Sequence, residues 1–395
     1  MSTEAKGGLE GVVAGTSSIC EVDGFNGKLT YRGIDIHELT AKSSFEETAY
    51  LLWVGQLPTR TDLAVLQDRL SCCRDLPLGV SRMIKDFPQT AEPMMVLRTA
   101  ASALGMYDPG GPEHHHEVDL SRAILMTSRI PTIVAQYQRT RLKLEPIEPR
   151  HDLGLAANFL YMLTGQLPSP SKARILDQCL ILHADHELNA STFAARVAAA
   201  TLSDLYSSVT AAIGTLAGPL HGGANERVME MLERIGEPDR VDEYIHGLLG
   251  QGQKIPGFGH RVYRTQDPRA VELARLASEL SEETGETRWL KMSKAIEELM
   301  INEKAINANV DLYSATVYHL LGIPTDLFTP VFAISRMAGW TAHILEQYSN
   351  NRLIRPRAEY TGLRDAHYVP IGERKATGVP PLVPDVPQTN DAIIH

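Results

Sequence analysis

Ser44-Phe45-Glu46-Glu47-Thr48-Ala49-Tyr50-Leu51-Leu52-Trp53-Val54-Gly55-Gln56-Leu57-Pro58 reads as one complete amphipathic helix with both of its ends written in. Ser44 with Glu47 three residues on is a capping box. Phe45, Ala49, Leu52 and Trp53 fall on one face, Gly55 supplies the stop, and Pro58 prevents continuation. A near copy follows. Leu160-Tyr161-Met162-Leu163-Thr164 runs into Gly165-Gln166-Leu167-Pro168. Either the chain carries a duplicated unit, or two helices use the same stop chemistry. Outward from these two, helical periodicity covers about 62–72, 92–105, 118–139, 171–186, 192–215, 222–235, 239–250, 268–283, 287–302, 312–321 and 328–348. Strand-period runs are nearly absent. One hairpin is expected, Ser18–Val22 with Lys28–Tyr31, around the tight-turn pair Asn26-Gly27. The fold class is all-α and multi-helical with one short N-terminal β-hairpin.

The 395 residues are enough for about two or three domains and a large core. A net charge of −10 disfavours a nucleic-acid or anionic-membrane binder. It does not disfavour a small anionic substrate, which local arginines would decide. No apolar run reaches the ~18 residues of a membrane span. The start, MSTEAKGGLEG, has neither the basic nor the apolar part of a signal peptide. The four cysteines, Cys20, Cys72, Cys73 and Cys179, make no CxxC or Cys/His metal spacing and read as reduced thiols. The expected address is the cytoplasm. The tail Gly378–Pro384 is Pro-rich and reads as extended.

Four clusters carry chemistry. In Gly218-Pro219-Leu220-His221-Gly222-Gly223-Ala224-Asn225-Glu226 the glycines permit close approach of backbone and ligand. A helix starting just after His221 would put that imidazole at a positive dipole end and keep it neutral. A neutral imidazole can donate a hydrogen bond to a developing oxyanion. The plainer reading is a Gly-Gly turn with a surface histidine. Gly257-Phe258-Gly259-His260-Arg261-Val262-Tyr263-Arg264, then Asp267-Pro268-Arg269, offers loop N–H groups, a histidine and arginines suited to carboxylate or phosphate. It is no dinucleotide fingerprint, and a solvated basic loop is the alternative. Asn309-Val310-Asp311 opens a helix, where an aspartate is usually a cap. His183-Ala184-Asp185-His186-Glu187 puts two histidines at i, i+3, which a shared helix face would align; HExxH is missing, so a metal site is weakly supported. His114-His115-His116 reads as a solvated loop after the turn cluster Asp108–Pro112.

Taken in order, these clusters resemble the citrate synthase family. The carrying residues are His183-Ala184-Asp185-His186-Glu187, Gly218–Asn225, Pro256–His260 with Asp267–Arg269, Asn309–Asp311 and Ser335-Arg336, with Tyr31-Arg32-Gly33-Ile34 near the start. The resemblance spans nearly the whole chain. It implies a large helical domain, 1–224 with 323–395, and a small helical lid, 225–322. It implies Asp311 as the base that takes the α-proton of acetyl-CoA, His221 as the donor to the enolate oxygen, and His260 as the group polarising the ketone of oxaloacetate. It implies His186, Arg269 and Arg336 as oxaloacetate ligands and Arg355 as an arginine lent by a neighbouring subunit. Lys254 and Arg264 would meet CoA phosphates, with Ile255, Gly257, Gly259 and Asn309 in the CoA-binding set. The implied activity is condensation of acetyl-CoA with oxaloacetate and water to citrate and CoA. It needs no tightly bound cofactor and no metal, and CoA thioester serves as co-substrate. The implied assembly is a homodimer with a shared active site, without the NADH-responsive extra domain of longer bacterial members. Three alternatives remain at this level: the same chemistry on propionyl-CoA giving 2-methylcitrate, a non-catalytic ligand-binding homologue, and a metal-binding helical protein.

Overall fold

A computed structural model of the chain describes Gly8, residues 12–108, Gly110 and residues 114–374. The tail Gly378–Pro384 lies outside the described residues, as do Pro109, Gly111 and Pro112 of the turn cluster. Residues Met1–Ile354 form one compact unit, and Arg355–His395 form a second.

The first unit is helical apart from a small antiparallel sheet: β1 (Cys20–Asp23), β2 (Lys28–Tyr31) and β3 (Ile34–Asp35), in the order β1-β2-β3. The third strand is two residues long and escapes a sequence pattern. It exists because Arg32 and Gly33 both take positive φ, a reversal tight enough to fold Ile34 back onto Tyr31.

The paired stop motifs use one chemistry. Phe45–Val54 ends on Gly55 at φ 90°, and Leu155–Thr164 ends on Gly165 at φ 81°. Each glycine N–H is donated to the carbonyl four residues back, Leu51 and Tyr161, at 2.8 Å. The helices that follow, Arg60–Cys72 and Pro170–His183, start on hydroxyl caps at Thr59 and Ser169.

Two helical expectations need correction. The run 192–215 is two helices, Ala190–Ala199 and Leu205–Leu216. Leu202 adopts φ 60° and Asp204 caps the second helix through Ser207 N, so local turn chemistry overrides a continuous apolar period. The run 171–186 stops at His183. His183 and His186 therefore share no helix face. The break is held by the Asp185 side chain, which accepts the Glu187 N–H at 3.2 Å while Glu187 sits at φ 54°. The helices Ile36–Lys42 and Leu78–Asp86 were not expected. Each is under three turns long, too short for a clear period.

The helix Phe328–Ser349 is the axis of the unit. It is apolar nearly all round and almost wholly buried, as a helix surrounded by others must be. It packs against His116–Arg141, Ala190–Ala199, Leu205–Leu216, Phe45–Val54 and Pro170–His183. At Gly339 it meets the loop after His183: a Cβ there would lie 2.2 Å from the Ala184 carbonyl oxygen and 2.4 Å from Asp185 Oδ1. The Gly339 N–H donates to that same carbonyl at 3.1 Å. Gly339→Ala must push helix and loop apart, with a cost of about 1–3 kcal/mol. Chemical denaturation should show a lower midpoint; an unchanged midpoint would mean the two backbones do not touch.

Candidate active site

The clusters converge on a pair of buried guanidinium groups. Arg269 is 3% exposed and Arg336 is 1% exposed. Asp267 caps the helix Pro268–Thr284 by accepting the Arg269 N–H at 3.0 Å, and also takes the Arg269 side chain in a fork, Nε at 3.0 Å and Nη2 at 2.8 Å. Burial would depress the Arg269 pKa; Asp267 more than reverses that and raises it. Arg336 gets less. Its Nε donates to the His183 carbonyl at 2.7 Å and its face lies over Phe332 at 4.7 Å. Among the described residues neither Nη of Arg336 has a hydrogen-bond partner, and burial lowers its pKa. A buried cation with unspent donors is a receptor for an anion.

Histidines surround this charge and stay neutral. The His186 and His260 rings are 5.2 Å apart, and Tyr263 packs on both, at 5.6 and 4.7 Å. Tyr263 Oη lies 3.3 Å from His186 Nε2. Burial first, then Arg269, pull His186 well below the usual histidine range and His260 to about 4. The N–H groups of Val262 and Tyr263 point at His260 Nδ1, at 3.0 and 3.1 Å. That nitrogen must carry the lone pair, so the proton resides on Nε2, which is left as the donor. His183 donates Nδ1–H to the Cys179 carbonyl at 2.7 Å, while its buried Nε2 has no partner among the described residues.

His221 sits in the turn between Leu205–Leu216 and Ala224–Ile235, three residues before the second helix. The expected dipole effect is therefore replaced: burial first, then the charge of Arg336, lower its pKa to about 4. Ser191 Oγ is 2.8 Å from His221 Nε2 and 2.8 Å from Asn189 Oδ1. Asn189 Oδ1 already accepts the N–H groups of Ser191 and Thr192, both at 3.1 Å. The Ser191 backbone N–H also points at His221 Nε2, at 3.3 Å, which makes that nitrogen an acceptor, and Trp340 Nε1–H donates to Ser191 Oγ at 3.1 Å. This leaves His221 Nδ1–H as the free donor.

Asp311 is not the helix cap. Asn309 caps Val310–Leu320, accepting the Asp311 N–H at 2.9 Å, so the Asp311 carboxylate is released from that duty. Asn309 Nδ2 donates to the Gly259 carbonyl at 2.9 Å, and its N–H goes to the Gly257 carbonyl at 2.9 Å. With Phe258 bridged to Ala308, the glycine loop is stitched to the segment before Asp311. The Asn309 side chain, expected in the CoA set, makes its contacts to the Gly259 carbonyl and the Asp311 N–H within the protein. Gly257 at φ 84° also has no room for a Cβ, with Leu312 Cα 3.1 Å away. Burial raises Asp311 to about 6, against lowering by Arg269 and Arg227. Asp311 and His260 share Arg269 and Asp267 as electrostatic neighbours, and Arg336 links His221, His186 and Arg269.

Of the remaining expected residues, Ile255 is buried, while Lys254 and Arg264 are exposed. Arg355 is exposed at the start of the second unit. Among the described residues no group of three His, Cys, Asp or Glu could hold a metal ion. His114 is occupied structurally, stacked on Tyr348 at 4.6 Å. Among the described residues no helix is long and apolar enough to cross a membrane. The sequence reading missed Ser191, Tyr263 and the separate orientation of His183. Ser191 lies 30 residues from His221, and no local pattern joins them.

Helices folded round buried arginines, neutral imidazoles and a carboxylate of raised pKa define a class: enzymes that take a proton from carbon and condense the product with an anionic acceptor. The model of the citrate synthase C-terminal domain matches residues 8–357. Citrate synthase 2 of Bacillus subtilis (strain 168) is 52% identical over 93% of this chain and 98% of its own. The 2-methylcitrate synthase of Shewanella oneidensis is 40% identical over 93% of this chain and 97% of its own. The ternary complex of citrate synthase from Thermoplasma acidophilum with carboxymethyl coenzyme A and oxaloacetate superposes with a TM-score of 0.88 at 33% identity, covering 93% of this chain and 98% of that one. The chain belongs to the citrate synthase family. It is an enzyme of the citrate synthase type, and its relatives include both citrate synthases and 2-methylcitrate synthases.

The Asp311 pKa has a consequence for stability. A carboxyl raised from 3.8 to about 6 binds its proton more tightly folded than unfolded. Its contribution to stability is greatest below the unfolded value and is lost as pH rises through about 6. At pH 8 Asp311→Asn should therefore stabilise the apoprotein, by on the order of 1–2 kcal/mol after solvent screening. The gain should shrink towards pH 4. Thermal unfolding at both pH values measures it; equal effects at both would contradict a raised pKa.

Proposed function

We propose that Asp311 removes the α-proton of acetyl-CoA, that His221 Nδ1–H donates to the enolate oxygen, and that His260 Nε2–H polarises the oxaloacetate ketone and protonates the new alkoxide. The observation that carries this division is protonic. The carboxylate is raised towards neutrality by burial, and each imidazole is held neutral with one defined N–H left over. A neutral donor can stabilise an oxyanion without already being acidic enough to protonate it, and one such donor is typically worth about 10²–10³ in rate. Arg269, Arg336 and His186 hold the oxaloacetate carboxylates and carbonyl in this reading, with the unpartnered Nη groups of Arg336 taking one carboxylate. That anion also neutralises Arg269, one of the two cations that otherwise steady the ionised form of Asp311.

Lys254 and Arg264, exposed beside the stitched glycine loop, suit CoA phosphates. The backbone of Ile255, Gly257 and Gly259 suits the adenine end, and Asn309 positions that loop against Asp311. Residues 225–322 act as a lid over the remainder, since the thioester must meet water only after condensation. The enzyme works as a homodimer, with Arg355 lent across the interface. The exposed apolar residues Tyr360, Leu363, Tyr368 and Ile371 of the second unit support a partner surface. Four free cysteines, one buried, two half-buried and one exposed, support a reducing cytoplasm.

Acetyl-CoA is the preferred acyl donor in this reading. The relatives include 2-methylcitrate synthases, and one methylene is worth about 1–3 kcal/mol in a pocket. Steady-state thiol release with acetyl-CoA and propionyl-CoA, each with oxaloacetate, should favour acetyl by about 10–200-fold in kcat/KM. A ratio inverted towards propionyl would assign the chain to 2-methylcitrate synthesis.

The wild-type kcat/KM should fall on an acid limb near pH 6, where Asp311 takes its proton, well above the region near 4 where His221 and His260 charge. Asp311→Asn should abolish condensation and retain CoA binding. His221→Ala should lose deuterium exchange into an acetyl-CoA analogue. Near-normal turnover of the asparagine variant would remove Asp311 from the base role.

A further inference from the structure

The N-terminal sheet has no part in the chemistry above, yet it touches both loops that bring histidines to the oxaloacetate position. We propose that this sheet is a positioning brace that sets the spacing of His186 and His260, with Gly24 and Tyr31 as its two points of attachment. The proposal rests on the reading that these two histidines hold the keto acid.

One end of the brace is the β1–β2 turn. Asp23 closes it by accepting the N–H groups of Phe25 and Asn26, both at 3.0 Å. The turn then meets the loop after His260 backbone to backbone. Arg264 N–H donates to the Gly24 carbonyl at 2.8 Å. A Cβ on Gly24 would lie 2.1 Å from the Val262 carbonyl oxygen, and one on Gly27 would lie 2.8 Å from the Gln266 carbonyl oxygen. Backbone atoms have no rotamer with which to give way, so only glycine allows this contact. The loop so held is short and fully employed. The N–H groups of Val262 and Tyr263 set the His260 tautomer, Tyr263 packs against His186, and Asp267 forks Arg269.

The other end is Tyr31 at the end of β2. Its hydroxyl lies 2.9 Å from the Asp185 carbonyl and 3.1 Å from the Ile181 carbonyl, and it accepts the Asp185 N–H at 3.1 Å. Asp185 is the residue before His186, in the break that ends the preceding helix. Gly24 and Tyr31 are seven residues apart on one hairpin whose register is fixed by paired strands, Cys20 opposite Tyr31 and Asp23 opposite Lys28. The distance between the two histidine loops is therefore set by a rigid ribbon as well as by the core. The sheet belongs to the proposed large domain and the 260–266 loop to the proposed lid, so the brace sets the histidine spacing with the lid seated against the large domain.

Gly24 lies outside the left-handed φ region, so alanine there is opposed by Val262 and not by its own φ. The experiment compares Gly24→Ala, Tyr31→Phe, His186→Ala and the control Phe25→Ala, whose side chain is 84% exposed. Oxaloacetate binding is read by titration calorimetry without CoA, and KM for each substrate by steady-state kinetics. Gly24→Ala and Tyr31→Phe should each weaken oxaloacetate binding and lower kcat by about 10–100-fold, the scale of a misplacement near 1 Å. KM for acetyl-CoA should be unchanged, and Phe25→Ala should behave as wild type. General destabilisation would not separate the two substrates in this way. If Gly24→Ala does not fold, the same split in Tyr31→Phe decides. Wild-type oxaloacetate affinity in either folded brace variant, with His186→Ala weakened, overturns the brace alone. Wild-type affinity in His186→Ala overturns the reading of the site and the brace with it.

Discussion

Two guanidinium groups held out of water are the constraint around which this structure is arranged. Isolated buried cations are costly, and the fold meets that cost unequally. Arg269 has a forked carboxylate in Asp267, whereas Arg336 has one carbonyl and an aromatic face. The imbalance leaves positive charge and unused donors where a dicarboxylate can complete the set. In the proposed reading, oxaloacetate in that position is both substrate and missing counter-ion.

The neighbours of that charge are consistent with it. Imidazoles beside two arginines in a dry site cannot also be cationic, and His183, His186, His221 and His260 are all shifted down, with burial as the leading cause. Neutrality alone would leave the tautomers undetermined. Two backbone N–H groups decide it for His260, the Ser191 backbone N–H decides it for His221, and a helix carbonyl decides it for His183. The catalytic property is thus less the presence of histidines than the location of one proton on each. Asp311 completes the pattern from the opposite side: burial makes it a stronger base, and Asn309 relieves it of helix capping.

Close backbone approach is the second theme. Gly339 lets the central helix touch the loop before His186, Gly257 lets the glycine loop lie on the base helix, and Gly24 lets the hairpin turn lie on the His260 loop. Each places main chain against main chain, which transmits position with little slack. The site is built on loops, and these contacts give the loops the stiffness of the helices behind them.

The all-helical class, the hairpin and the two glycine-stopped helices were legible because periodicity and cap chemistry are local, and Ser44, Gly55 and Gly165 act on residues within one turn of themselves. The identity of Asp311, His221 and His260 as candidates was legible from ordered motifs, and the family match over residues 8–357 spans all three. What those residues can do was not legible. The break after His183 and the split at Leu202 each turn on one non-glycine residue at positive φ, Glu187 and Leu202, and the third strand on the pair Arg32-Gly33, beside a strand too short to show a period. The pairings of Ser191 with His221, Tyr31 with Asp185, and Gly24 with Val262 join residues 30 to 238 positions apart. Proton location and pKa arise from burial and from partners distant in the chain, so the sequence by itself names the chemical groups, and only the tertiary structure decides their charge, their tautomer and the direction each one faces.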